Sequence, residues 1–283
     1  MPGVHIVTDS GSDLSPEDAA ALGVTVVPLS IRFGDEEFVD RVTLGVEEFY
    51  AKMAELPGLP GTAAPSPGAF AEAFTKAADD GADAVVCINL AAKMSATIEA
   101  ARNAATSVAD RVPVQVVDSQ SVTGGLGALV RRAAAAAKEG KSADEIVAMV
   151  DDRAERTRIY GAFDTLENLK MGGRIGGAKA LLGTLLSIKP IIEIRHGEVE
   201  EAGKQRTRRK ALEWIRAKVD ELGDVEDLTI CEGMATDLEM FRQMFADRPG
   251  GADIPVVRLG ATIGTHGGPR VMGVSLVLPP GAA

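Results

Sequence analysis

Short β-branched, apolar runs alternate with Ala-rich amphipathic stretches through the first half of the chain. Val4 to Thr8 reads as a buried strand. Ser15, Pro16 and Glu17 then open a helix with an N-cap and a proline at its first position, and Gly23 closes it. Val24 to Leu29 is a second strand, Ile31 to Asp35 approaches a hairpin turn, and a helix follows from Val46 to Glu55. The stretch Pro57 to Pro67 is rich in Pro and Gly and is expected to lack regular structure. Ser66 and Pro67 cap a helix ending at Gly81. A strand at Ala84 to Leu90, a helix at Met94 to Val108 and a strand at Val114 to Val117 come next. Strands alternating with helices predict a parallel sheet covered on both faces.

Two long helices, Thr123 to Glu139 and Ala143 to Thr157, are separated by Gly140, and Ser142 with Glu145 makes a capping box for the second. The pattern then changes. Pro190 to Arg195, the turn His196-Gly197 and Glu198 to Glu201 read as a β-hairpin. A helix from Arg208 to Leu222, a strand at Leu228 to Glu232, a helix capped by Thr236 with Glu239, and strands at Val256 to Leu259 and Val271 to Leu278 complete an α+β half. The fold class is therefore α/β, with a Rossmann-like parallel-sheet domain over 1–158 and an α+β domain over 159–283.

The 283 residues suit one large or two modest domains, and 46% hydrophobic with 25% charged residues is the composition of a globular protein. A formal net charge of −11 repels phosphate backbones and argues against nucleic acid as a partner. Cys87 and Cys231 lie singly in apolar runs, which gives neither a disulfide framework nor a zinc motif. The start lacks a signal-type segment and no apolar run reaches about 18 residues. A reduced, cytoplasmic protein without metal or cofactor is expected.

Standard catalytic signatures fail. Gly172-Gly173-Arg174-Ile175-Gly176-Gly177 lacks the lysine of a phosphate loop, since Ala178 stands there, and Gly124-Gly125-Leu126-Gly127 has the wrong spacing for a dinucleotide fingerprint. Polar residues do gather beyond the carboxyl ends of the strands, where open α/β sheets bind ligands. These are Asp9 and Ser10, Thr62 and Ser66, Ser95 and Thr97, and Ser119. Each alone reads as an ordinary cap; together they read as an anion site of hydroxyls and helix N-termini. His266 lies in the glycine-dense Ile263 to Pro269, expected to be a loop that presents it at a surface, with a plain turn histidine as the alternative. Arg174 sits in another glycine-rich turn, where its guanidinium can grip an anion bidentately. The basic cluster Lys204 to Lys210 reads as a solvated helix start or as a dock for an acidic partner. The mostly apolar Ala178 to Leu186 is expected to be a helix, either walling a channel or filling a core.

Taken in order, these residues resemble the DegV family, whose characterised members are bacterial fatty-acid-binding proteins. The resemblance spans the whole chain through Thr8-Asp9-Ser10, the loop Thr62 to Pro67, Met94 to Thr97, Asp118-Ser119, Leu166 to Ile175, Lys189-Pro190-Ile191 and Gly264-Thr265-His266. It implies a two-domain protein holding one long-chain, palmitate-like fatty acid between its domains. It further implies that Thr62 and Ser95 hydrogen-bond the carboxylate, with Asp9, Ser10, Ser66, Thr97 and Ser119 as additional pocket candidates. Arg174 and His266 would support phosphoryl transfer by a partner fatty acid kinase, with no catalysis by the carrier itself and peripheral membrane contact as a route for lipid exchange. The chain departs from the family pattern at Ala63, Ala91, Ala92 and Ala96, while Thr62 and Ser95 are kept. The competing reading is a phosphotransferase or hydrolase using Ser95 with His266.

Overall fold

Runs without polar alternation become strands covered on both faces, and the computed structural model places four of them at the heart of the first half. It describes residues 3–55 and 57–281, and only the backbone of 182–187 and 252. The chain opens with β1 (Val4–Asp9), α1 (Pro16–Leu22), β2 (Val24–Val27), β3 (Ser30–Phe33), β4 (Glu36–Val39), α2 (Val46–Glu55) and β5 (Gly61–Ala63). It continues through α3 (Pro67–Asp79), β6 (Ala84–Asn89), α4 (Thr97–Ser107), β7 (Val114–Asp118), α5 (Thr123–Lys138) and α6 (Ala143–Arg156). β2, β1, β6 and β7 form a parallel sheet in that order, and β4, β3 and β5 form a small antiparallel one. Three of the predicted caps form. Ser15 and Ser66 accept from Asp18 N–H and Ala69 N–H, and Ser142 and Glu145 form the reciprocal box.

The second half supplies β8 (Thr157–Ala162), α7 (Glu167–Met171), β9 (Lys189–Arg195), β10 (Glu198–Gln205), α8 (Arg208–Glu221), β11 (Glu226–Glu232), α9 (Leu238–Gln243), β12 (Val256–Arg258), α10 (Ala261–Gly267) and β13 (Met272–Val277). Its sheet runs β10-β9-β8-β13-β11-β12 and is antiparallel except for the β11–β12 pair. α5 packs against both large sheets. Its glycines permit that approach: a Cβ on Gly124 would stand 2.6 Å from Ser275 Oγ, and one on Gly127 2.9 Å from the Ser12 carbonyl. The stretch with the wrong spacing for a dinucleotide is thus a packing device.

Several expectations are corrected. The Pro-rich stretch contains β5, because residues 61–63 find a partner in the edge of β3, with Thr62 opposite Ile31. The helix expected from Met94 begins only at Thr97, so Ser95 lies in the turn before it. β8 went unread: all six of its residues are buried, which erases the alternation that marks a half-exposed strand. The expected domain boundary near 158 falls at its second residue. α9 has no side-chain cap; Asp237 at its start binds Arg208 instead. Gly176–Ser187 is a 3-10 segment rather than an α-helix. Ala178 and Leu181 in it are buried with Ile175 and Val199, whereas the side chains of 182–187, on which most of the channel-wall expectation falls, lie outside the described residues. The stretch around His266 is α10, not a loop between strands.

Candidate functional site

A narrow slot lies between α5, α10 and the larger sheet, with about 100 Å3 open to the centre of a water molecule. Its floor follows from strand register. Ile192 pairs with Gly161, Gly161 with Gly273, and Gly273 with Cys231, so one row crosses four adjacent strands, and all four residues line the slot. At about 4.8 Å per strand this row is about 14 Å long. The two central positions carry no side chain, which leaves a trough in the sheet. Leu90, Val122, Ile159, Phe163 and Ile263 wall it.

The polar groups gather at the neck. Thr62, Ser95, Arg174 and His266 all line the slot, and Arg174 is the sole charged side chain among the described lining residues apart from the titratable histidine. Met94, Ser95, Arg174 and Val199 also line a wider outer cleft, so the slot opens to the surface between them. Thr62, on β5, lies with its Oγ1 3.2 Å from His266 Nε2. Ser95 Oγ lies 2.8 Å from Thr97 Oγ1 and accepts from the Thr97 N–H at 3.3 Å. Arg174 Nε donates to the Met94 carbonyl at 3.1 Å and Nη1 to the Gly172 carbonyl at 2.6 Å. Those two bonds orient the guanidinium and leave its other N–H groups for an anion.

Burial, reinforced by the nearby Arg174 charge, pushes the His266 imidazole down to about 4, so it is neutral at pH 7. Its Nδ1 is buried and has no hydrogen-bond partner among the described residues. An orphaned acceptor is easier to tolerate than an orphaned N–H, which assigns the ring proton to Nε2. Nε2 then donates to Thr62, and the Thr62 hydroxyl proton remains available to an incoming carboxylate oxygen.

The other expected pocket residues do not line the slot. Asp9 is fully buried, its carboxyl pushed up to about 6 by desolvation against the pull of three donors, Gly11 N–H, Asn89 Nδ2 and Leu90 N–H, each at 2.9 Å. Ser10 Oγ accepts from the Leu29 N–H, Ser119 closes a turn with Ser121, and Ser66 caps α3. Thr97 touches the site only through Ser95. Ser95 and His266 are not hydrogen-bonded to each other: each has a different partner. In the basic cluster, Arg208 and Arg209 have counter-ions in Asp237 and Glu213, while Lys204, Arg206 and Lys210 border a separate cleft. Sequence reasoning missed Thr123, Tyr160, Thr262 and Cys231 as lining residues. The apolar run around Cys231 signalled burial, but nothing local signalled a cavity. Among the described residues no helix is long and apolar enough to cross a membrane, and no cluster of His, Cys, Asp and Glu could hold a metal ion.

The sequence profile of the DegV family, described as uncharacterised, matches residues 3–278. A DegV domain-containing protein of Deinococcus radiodurans is 37% identical over 278 residues, covering 96% of this chain and 98% of that one. Among solved structures, a fatty-acid-binding DegV family protein from Thermus thermophilus is similar at 32% identity and a TM-score of 0.88, over 98% of this chain and 100% of that one. A stearic-acid-binding protein from Eubacterium ventriosum is 28% identical with a TM-score of 0.84, over 97% and 98%. With the family profile matching residues 3–278 and a relative 37% identical over 96% of the chain, the chain belongs to the DegV family.

Proposed function

We propose that this protein holds one long-chain fatty acid in the slot, its carboxylate at Thr62 and Ser95, and presents that carboxylate to a separate fatty acid kinase. The observation that carries the reading is the slot itself: an apolar trough across four strands that ends on two hydroxyls, an imidazole and one guanidinium. Burying about sixteen methylene-sized carbons is worth about 13 kcal/mol gross, before the cost of ordering the chain. The tail supplies affinity and the neck fixes the head. The fatty-acid-binding relatives from Thermus thermophilus and Eubacterium ventriosum support the same ligand class.

Where the neck opens supports presentation. Ser95 and Arg174 line both the slot and the outer cleft, so a carboxylate held there would border an open cleft. A carboxylate becoming an acyl phosphate gains negative charge just outside the neck, where the guanidinium has spare donors. The enzyme alternative loses ground on geometry, because the Ser95 hydroxyl engages Thr97 and the imidazole engages Thr62.

The test is organic extraction of the purified protein followed by mass spectrometry, with native mass spectrometry for stoichiometry. A near-stoichiometric saturated or monounsaturated acid is expected. Protein that is consistently lipid-free and does not bind added palmitate overturns the reading. Acyl-phosphate formation from ATP and palmitate without a partner would restore the enzyme alternative.

A further inference from the structure

The seven residues of α10 are a poor helix by themselves. Ala-Thr-Ile-Gly-Thr-His-Gly is two turns long, contains two glycines and lies far below the length at which isolated helices persist. Its first turn has no cap from its own sequence, since Gly260 stands at the N-cap. The missing acceptors come from the other half of the chain. Asp40, which directly follows β4 and is 1% exposed, accepts the N–H groups of Ala261 and Thr262 at 3.2 Å each and the Thr262 hydroxyl at 2.6 Å. Asp13, also buried, accepts the Gly260 N–H at 2.8 Å and is bridged by Arg41 at 3.2 Å.

The last turn of the same helix carries His266, and its Nε2 meets Thr62. Thr62 lies in the β4-β3-β5 sheet, and Asp40 is tied to its end. Thr62 pairs with Ile31, Ser30 pairs with Val39, and the Asp40 N–H donates to the Leu29 carbonyl. Backbone hydrogen bonds therefore fix the spacing between the acceptor at one end of α10 and the hydroxyl at the other. A carboxylate that accepts three donors in a buried setting holds its partner far more strictly than a solvent-exposed cap.

We propose that Asp40 is a positioning residue for His266: by holding the first turn of α10 to the β4-β3-β5 sheet, it sets where the imidazole stands against Thr62 and the neck of the slot. Its consequence for presenting a carboxylate rests on the fatty-acid reading; the clamp itself does not. Shape and charge both enter. Asn at position 40 keeps one carbonyl acceptor but turns an NH2 group toward donors, so it weakens the clamp, and Ala abolishes it.

Nitrogen-15 NMR of the His266 ring tests this in wild type, Asp40→Asn, Asp40→Ala and a control, Val150→Ala, which opens a cavity beneath α6, a helix that packs on α5, β6 and β7. In wild type, Nε2 is expected to carry the proton and the ring to titrate near 4, with Arg174 as the neighbouring cation. Both Asp40 variants should move the titration up by about a unit as the ring gains water, and should mix the tautomers. Val150→Ala should lose melting temperature without either change. Should Asp40→Ala not fold, Asp40→Asn carries the test. An unchanged His266 titration and tautomer in the folded Asp40 variants overturns the proposal. So does an equal shift in Val150→Ala, which would mark general loosening. Palmitate titration of the wild type reports separately on the fatty-acid reading.

Discussion

Inside the protein the Thr62 hydroxyl meets His266 Nε2 and the Ser95 hydroxyl meets Thr97 Oγ1. If they hold the carboxylate as proposed, replacing either with Ala removes a hydrogen bond to a charged group, which costs about 1.5–3 kcal/mol, or roughly tenfold or more in affinity. Both side chains are half-buried at a neck rather than locked in a core, so the melting temperature should barely move. Isothermal titration with palmitate checks this, and unchanged affinity in both variants would move the head group elsewhere. His266 gives a pH prediction of definite sign. Its folded-state value near 4 lies below the ordinary 6.5, so between those limits the unfolded chain takes up a proton that the native site refuses. Stability is therefore lost as pH falls from about 6.5 toward 4. In His266→Gln that part of the pH dependence should vanish, seen as a melting-temperature difference from wild type that changes across this window and is flat above pH 7.

At the scale of elements, the two glycines of the trough have different jobs. A Cβ on Gly161 would point at the edge of the Phe163 ring, 3.0 Å from Cε2, where a side chain can yield. A Cβ on Gly273 would collide with the Tyr160 carbonyl in the neighbouring strand, which cannot yield. Gly161→Val should fold and fill the slot. Overpacking of about 1–3 kcal/mol would lower palmitate affinity by roughly 5- to 150-fold, with a smaller loss for shorter acids. Gly273→Ala should instead part β8 from β13 and lower the urea midpoint, whether or not lipid is present. Equal affinity of Gly161→Val for palmitate would mean that the acyl chain does not cross this row. The Ser15, Ser66 and Ser142 caps were legible because a cap is a local bargain between a side chain and the next turn. β5 and α10 were not, because each exists through partners distant in sequence: β3 for one, and Asp40 with Asp13 for the other.

Across the whole molecule, the two halves meet along α5 and through a group of ion pairs in which Arg153 bridges Glu226 and Asp227 while Arg132 grips Asp227. The slot lies along this seam, open at the neck to the outer cleft. On the proposed reading, holding the acid and handing it over are separable. His266→Ala and Arg174→Ala should keep most of their lipid, since the tail carries the affinity, yet support little acyl-phosphate formation by a cognate kinase, because their contribution grows as charge develops. Lipid occupancy and kinase-coupled rate, measured on the same preparations, decide it. Parallel losses in both would show that these residues hold the ligand or the fold instead.

The sequence by itself determined the alternation of strand and helix in the first half, the change of architecture in the second, and Thr62, Ser95, Arg174 and His266 as the residues to watch. Each of those follows from periodicity, local turn chemistry or collinear short motifs, which involve neighbours along the chain. Tertiary structure alone decided which polar residues share a cavity. Asp9, Ser10, Ser66 and Ser119 end the same strands or start the same helices that a ligand site would use, but their oxygens are spent on nearby backbone donors. It also decided the trough, since Gly161 and Gly273 leave a gap only when register sets them side by side. A glycine in a strand says that room exists; only its neighbour across the sheet says whether the room is for packing or for a ligand.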